Sequence, residues 1–460
     1  MRLESPRSSN VFPRQIGLDL PIVDHGKGAY IIDTDGREYL DASGGPAVSC
    51  LGHDDPDVIA AIKEQVDRIA FAHTSYFTSL AAETLADLII GEAPAGFGKL
   101  YLTGSGSEAV EASLKMARQY FVQSGLPSKT KFIARHQSYH GATLGAVALG
   151  GVEWRRSLYA PLTMQCGFIP PCYAYRMRHA GESDEAYGLR AANALETEIL
   201  HLGPENVAGF IAETIVGATS GAVAAVPGYF ARIRKICDRY NVLLILDEVM
   251  CGMGRTGSTF SCQDEGVAPD LICVAKGLAG GYQAIAAVVV SNRVYDAFIE
   301  GDGIFHHGQT YMGHPVACAA ALAVQRKIRD RDLLANVVKQ GGYLMNELKS
   351  RLAQHPFVGD IRGRGLFVGI ELVVDRPTKA PFNPAVKLHK RVKQAAFNRG
   401  LICYPGGGTI DGRRGDHILV SPPFIVTRSD IDRIIDLLIP AIDDAVAGAK
   451  CSSMSLMDKQ

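Results

Sequence analysis

Nowhere do the 460 residues hold an uninterrupted apolar run near the roughly 18 that a membrane helix needs, so no membrane span is expected. Charge of one sign is not in excess either. The 47 lysines and arginines stand against 48 acidic residues, a formal net charge of −1, which argues against a general nucleic-acid or acidic-membrane surface. Ten cysteines are scattered without a CxxC pair, which argues against a disulfide frame or a zinc ribbon and for reduced thiols in the cytoplasm. The zinc pattern H-E-x-x-H is missing. His306, His307 and His314 of "HHGQTYMGHP" lie among turn residues instead, and no metal is expected. The opening "MRLESPRSSNVFPRQ" lacks an apolar h-region, so no secretory signal is expected. There is also no internal repeat and no low-complexity run. What is present, 47% hydrophobic and 21% charged residues, is ordinary for a globular enzyme, and the length allows two or three domains or one large domain with a smaller satellite.

Along the chain, "GAYIIDTDGREYLDAS" alternates apolar and polar residues around the turn signal Asp35-Gly36 and reads as short strands. "DPDVIAAIKEQVDRIA" then switches to helical spacing. Short apolar runs follow, most separated by helical segments: "KLYLT" (99–103), "KFIAR" (131–135), "AGFIAE" (208–213), "VLLILDE" (242–248), "LICVA" (271–275) and "IAAVVV" (285–290). Fully apolar strands alternating with helices indicate an α/β architecture with a mainly parallel sheet covered on both faces. The alternation changes character after the helical stretches "HPVACAAALAVQRKI" and "LLANVVKQGGYLMNELKSRL". "GLFVGIELVV" (365–374), a helix through "PAVKLHKRVKQAAFNRG" and "HILVSPPF" suggest a smaller α+β domain. The expected division is an N-terminal segment over 1–60 that packs with a small domain over 331–460, and a large domain over 61–330. The tail from "KCSSMSLMDKQ" is expected to fray.

Ligands of such sheets sit beyond the carboxyl ends of the strands. Glu213 and Asp247 fall there, and so does Lys276, which follows an apolar strand in "DLICVAKGLAGG". A lysine is rarely delivered to a sheet rim without a partner. Asp247, costly in such a place unless a positive group pairs with it, serves equally a salt bridge or a cationic ligand atom. In "TGSGSEAVE", Ser105 and Glu108 match a capping box, and the N–H groups of that first turn form an anion site. Gly104, Gly106 and Ala109 also satisfy the dinucleotide fingerprint. The next strand, however, ends in Arg135 and His136 rather than an acid that would hold a ribose, so a phosphomonoester suits the turn better. Tyr139 and His140 of "SYHGATLG" follow that strand, where a flat ring is either core or a stacking surface. An amine, a carboxylate, an aromatic face and a phosphate cradle at one rim are what pyridoxal 5′-phosphate needs.

At this point the order of motifs resembles the class III (ω-type) pyridoxal-phosphate aminotransferases, fold type I of the aspartate aminotransferase superfamily. The likeness runs from about residue 25 to 435, through "ILDEVMCGMGRTGS" and "APDLICVAKGLAGGY". It implies a large domain with a mainly parallel seven-stranded sheet between helices, and a small domain built from both chain ends. It also implies that Lys276 is the Schiff-base lysine, that Asp247 faces the pyridinium, and that Val249 and Tyr139 press on the ring from opposite sides. Ser105, Gly106 and Ser107 would hold the phosphate, with His140 and Glu213 also at the cofactor. Thr310 would reach the phosphate of a neighbouring subunit, which implies a homodimer with shared sites. Two departures stand out. The family often has Glu-Pro where this chain has Glu213-Thr214, and often an arginine near Leu419, before "PP". The second points to the branch acting on ω-amino acids or primary amines with a keto acid such as pyruvate, by ping-pong exchange. There Arg413 or Arg414 would read a carboxylate. Decarboxylation or amino-group migration on the same fold are the alternatives. A nicotinamide oxidoreductase leaves Lys276 unexplained, and a silent relative leaves both Lys276 and Asp247 without a reason.

Overall fold

The computed structural model describes residues 10–18 and 20–457. Three short strands, β1 (Val23–Lys27), β2 (Tyr30–Asp33) and β3 (Glu38–Asp41), form an antiparallel meander. The turn from β2 to β3 passes through Gly36 at φ +77, a left-handed position that glycine adopts without steric cost.

The alternating region builds a sheet from β4 (Phe97–Thr103), β5 (Lys131–Arg135), β6 (Gly167–Ile169) and β7 (Val207–Glu213). A two-stranded hairpin, β8 (Ile215–Val216) with β9 (Val223–Ala224), leaves it, and β10 (Leu243–Asp247), β11 (Leu271–Val274) and β12 (Ala286–Ser291) return to it. The spatial order is β4-β12-β11-β10-β7-β5-β6, seven strands. β10 runs parallel to β7 and β11, and β5 parallel to β7 and β6. β12 is antiparallel to both β11 and β4. Six strands therefore end at one rim and one points back. β6 is not readable in the sequence, because three residues carry no periodicity to recognise.

Successive side chains of these strands enter two different cores. Leu243 and Ile245 of β10 pack with the helix Gly106–Gln123. Leu244 and Leu246 pack on the other face, with the helices Asp184–Leu202 and Tyr229–Arg239. Both faces are covered, so the strands read as unbroken apolar runs. Each fully buried Leu or Ile contributes about 1.5–3 kcal/mol.

Beyond the helices Pro315–Asp330 and Leu333–Arg351 come β13 (Val358–Arg364), β14 (Phe367–Leu372), β15 (Leu401–Ile402), β16 (Tyr404–Gly407) and β17 (Asp416–Val420). Four of them form the antiparallel sheet β13-β14-β17-β16. The apolar run at 365–374 gives a strand only from Phe367, since Gly365 at φ +57 turns β13 into β14. β15 leaves for the N-terminal sheet and pairs parallel with β3, Leu401 opposite Leu40. A core drawn from both chain ends joins Leu40, Leu51 and Val58 to Leu388, Ile418 and Ile434. The last helix, Arg428–Met457, runs past the point where fraying was expected. Residues 1–9, 19 and 458–460 lie outside the described residues. No helix among the described residues is long and apolar enough to cross a membrane.

Candidate active site

Lys276 stands two residues beyond β11, in a short 3-10 turn, with φ +45. A left-handed backbone is costly for a residue with a Cβ and persists where the surroundings fix it. The side chain enters a cavity of about 380 Å³ at the sheet rim, also lined by Ser105, Gly106, Ser107, Tyr139, His140, Glu213, Asp247 and Val249. Nine residues scattered over more than 170 positions of sequence thus meet at one hole. No hydrogen bond or ion pair holds the Lys276 amine among the described residues. Withdrawal from water lowers it from 10.5 to about 8, while Asp247 and Glu213 act to raise it.

Strand register sets the two carboxylates. Asp247 and Glu213 are opposite partners at the ends of β10 and β7. Asp247 Oδ2 meets His140 Nδ1 at 2.8 Å and its Oδ1 accepts from the Val249 N–H at 3.0 Å. His140 Nε2 is buried without a partner. Glu213 accepts from the N–H groups of Tyr139 and Gly217, each at 3.0 Å. Burial raises its carboxyl all the same, and Asp247 adds to the rise while His140 opposes it. Both acids thus also anchor the segment 139–140.

The turn at 104–107 departs slightly from the expected capping box. Ser105 Oγ accepts from the Glu108 N–H at 3.3 Å, but the Glu108 carboxylate returns to the Gly104 N–H at 2.7 Å, one residue before the cap. The first N–H groups of a helix have no intrahelical acceptor, so those of Gly106 and Ser107 face the cavity rim as donors. A Cβ on Gly106 would fall 3.0 Å from Val249 Cγ1, which shows how closely the turn lies on Val249. Ser107 Oγ accepts from the Ala142 N–H at 2.9 Å.

Thr214, a departure from the family's frequent Glu-Pro, donates to Glu248 Oε1 at 2.8 Å. Glu248 turns away from the cavity. It also accepts from the N–H groups of Ser261 and Cys262, both at 2.7 Å, and burial still raises it to about 7.

Three of the residues picked out in the sequence do not line the cavity of their own chain. Thr310 lies on an exposed loop beside Tyr311, which is 67% exposed. Arg413 points to Glu153 at 3.7 Å, and Arg414 is held by Asp411 at 2.6 Å. The histidines nearby are spread apart: His306 pairs with Asp302, while His307 lies against Lys115. Val48, Ile215, Met250, Gln283, Ala284 and Ile285 also line the cavity. Apart from the polar Gln283 these residues are small or apolar, and none of the six carries a local signal of a site. Only the glycine-rich stretch after Lys276 hints that the chain folds back over it.

The chain matches the family described as aminotransferase class III over residues 14–442. It belongs to that family. An uncharacterized aminotransferase of Schizosaccharomyces pombe is 43% identical over 428 residues, 93% of either chain. The adenosylmethionine-8-amino-7-oxononanoate aminotransferase of Geobacter sulfurreducens is 34% identical over 431 residues, again 93% of either chain. Among solved structures, an ω-transaminase from Pseudomonas jessenii in complex with PMP superposes with a TM-score of 0.90 at 32% identity, covering 96% of this chain and 97% of that one. The class III aminotransferases are pyridoxal-phosphate enzymes of fold type I, and this aminotransferase shares their cofactor and their mainly parallel seven-stranded sheet. Its cavity suits that group chemically: an unpaired amine, a buried carboxylate fixed at both oxygens, a ring and a run of N–H donors stand at its wall.

Proposed function

We propose that this aminotransferase takes the amino group of an ω-amino acid or primary amine and passes it to a keto acid such as pyruvate, in two half-reactions of a ping-pong cycle. One observation carries the assignment of residues: the unpaired amine of Lys276 shares a single cavity with the Asp247–His140 pair. Pyridoxal phosphate, when bound, supplies an electron sink next to the reacting carbon. Lys276 is the residue that would hold its aldehyde carbon until a substrate amine takes that place. The Lys276 amine, whose burial lowers it to about 8, would take the proton from the substrate carbon beside nitrogen and deliver it to the carbon on the other side of that nitrogen, as base and acid in turn. Asp247 keeps the ring nitrogen protonated, and His140 holds Asp247 in place. Tyr139 and Val249 clamp the ring, Glu213 fixes the Tyr139 backbone, and Ser105, Gly106 and Ser107 bind the phosphate.

Two copies sharing their sites complete the reading. The position of Thr310 supports it, exposed and outside its own chain's cavity, so that the partner subunit's Thr310 would reach the phosphate. Arg413 or Arg414 reads a substrate carboxylate after leaving its present acid. The nine cysteines from Cys50 to Cys403 are free, which supports a cytoplasmic setting.

The test is a donor screen with pyruvate, comparing ω-amino acids, diamines and carboxylate-free amines, on wild type and Lys276→Ala. Purified wild type should show a visible absorbance band from the cofactor held at Lys276 and be fixed by borohydride at that residue. The variant should lose both, and with them more than the roughly 10²–10⁴-fold that acid–base work alone supplies. Retained turnover in the variant would remove Lys276 from its role. Release of carbon dioxide, or turnover without an external acceptor, would replace transamination by decarboxylation or amino-group migration.

A further inference from the structure

Gln137 is a buried residue with a left-handed backbone close to the site. It is 3% exposed, has φ +57, and precedes Tyr139 by two residues. A long side chain without a glycine's freedom is rarely kept in the left-handed region unless something outside the segment requires it. Both ends of the residue are tied. Its carbonyl accepts from Thr219 Oγ1 at 2.6 Å. Its side-chain Nε2 donates to the Gly408 carbonyl at 2.7 Å, far away in sequence.

Gly408 is the root of the loop that carries Arg413 and Arg414. Its N–H donates to the Gly415 carbonyl at 2.7 Å, and its carbonyl accepts from the Gly412 N–H at 2.8 Å, so the loop is closed on itself. Asp411 Oδ1 accepts from the N–H groups of Arg413 and Arg414 at 3.0 and 2.7 Å. The loop is therefore a small rigid body, and the Gln137 amide is the side chain that pins its base. Its tip lies flat on the segment that follows Tyr139. A Cβ on Gly412 would come within 3.3 Å of Val152 and 3.5 Å of Gln137 Oε1. In the same segment the Arg155 guanidinium stacks on the Tyr139 ring, 5.3 Å from its centre.

We propose that Gln137 is a specificity-positioning residue: its amide sets where the 408–415 loop sits relative to Tyr139, and so governs how well the enzyme takes a substrate bearing a carboxylate over one without. The proposal rests on the reading of Arg413 or Arg414 as the carboxylate reader. Gln137 touches neither cofactor nor substrate. It acts through the loop.

The test uses holoenzyme variants Gln137→Gly and Gln137→Leu. Glycine removes the amide and relieves the backbone, so that variant folds; leucine keeps the backbone and removes only the hydrogen bond. The readout is kcat/KM for the best keto-acid acceptor against a carboxylate-free aldehyde. Both variants should lower the keto-acid value about tenfold, mainly through KM, and change the aldehyde value less than about threefold. The cofactor absorbance band should not move. A parallel fall for both acceptors, or no change in their ratio, overturns the proposal. Arg413→Ala and Arg414→Ala separate the two readings. If the ratio shifts in Gln137→Gly but in neither arginine variant, the arginine reading falls and the loop is read by another of its groups. If it shifts only in an arginine variant, Gln137 has no such role.

Discussion

Asp247 and Glu248 are neighbours in sequence that serve opposite regions of the molecule. One carboxylate opens on the cavity at the sheet rim, and the other closes into the packing behind it. Asp247 meets His140, Val249 and the space where Lys276 ends. Glu248, wholly buried, is met by Thr214, Ser261 and Cys262. Extended chain throws successive side chains to opposite faces, so one strand end can supply a reacting region and a structural one from adjacent residues. The same pair of letters therefore holds two unrelated jobs, and each makes its own prediction.

The largest effect should follow Asp247→Asn. Losing one partner of a buried charge pair costs about 3–5 kcal/mol, and at 1.36 kcal/mol per decade this lowers turnover roughly 10²–10⁴-fold. The cofactor should remain bound. A second signature sharpens the comparison. Asp247 acts to hold the Lys276 amine up, so the pH midpoint for reloading apoenzyme with cofactor, about 8 in wild type, should fall in the variant. Undiminished turnover would make Asp247 as structural as Glu248.

Glu248→Gln should do the reverse, leaving turnover within about threefold and altering stability with pH. Burial raises the Glu248 carboxyl to about 7, above the roughly 4.3 of an unfolded glutamate. Between those values the folded chain holds a proton that the unfolded chain has released. The stability from this group is thus full below about pH 4.5 and is lost as pH rises through about 7. Denaturant midpoints should show the variant less stable by about 1–3 kcal/mol at pH 5, with the gap shrinking towards pH 8. A gap independent of pH would mean that Glu248 does not titrate in this range.

What the sequence disclosed divides along the same line. Each residue expected at the rim, from Ser105 to Lys276, ends or follows a strand whose apolar run is continuous, and a parallel ladder leaves such ends together. Ser105 with Glu108 was legible for the same local reason, although the return bond lands on Gly104. The wall residues Val48, Gln283 and Ile285 were not legible, because nothing in their own neighbourhoods says what folds against them. Nor was the reversal of β12, whose apolar run looks like those of the six strands that run the other way. Arg413 and Arg414 were visible as charges near the right motif, but a loop tip has no ladder to aim its side chains, and here they turn to Glu153 and Asp411. The partners of Glu248 needed three separate segments to meet.

Thr214 gives the smallest and most discriminating test, because the family often has proline there and the threonine hydroxyl is one of the three donors on Glu248. Thr214→Val keeps the shape and removes that donor. Once Glu248 is ionised, the loss of one donor should cost about 1 kcal/mol, read as a lower denaturation midpoint at pH 8. At pH 5, where the carboxyl carries its own proton and needs less help, the cost should shrink. Turnover should stay within about threefold in both conditions, since the hydroxyl lies on the side of the strand ends away from Lys276. A fall in turnover that tracks the loss in stability would mean that strain at Glu248 reaches Asp247 through the one peptide unit between them. The two regions would then be a single mechanical unit, and the separation read from their opposite faces would be wrong.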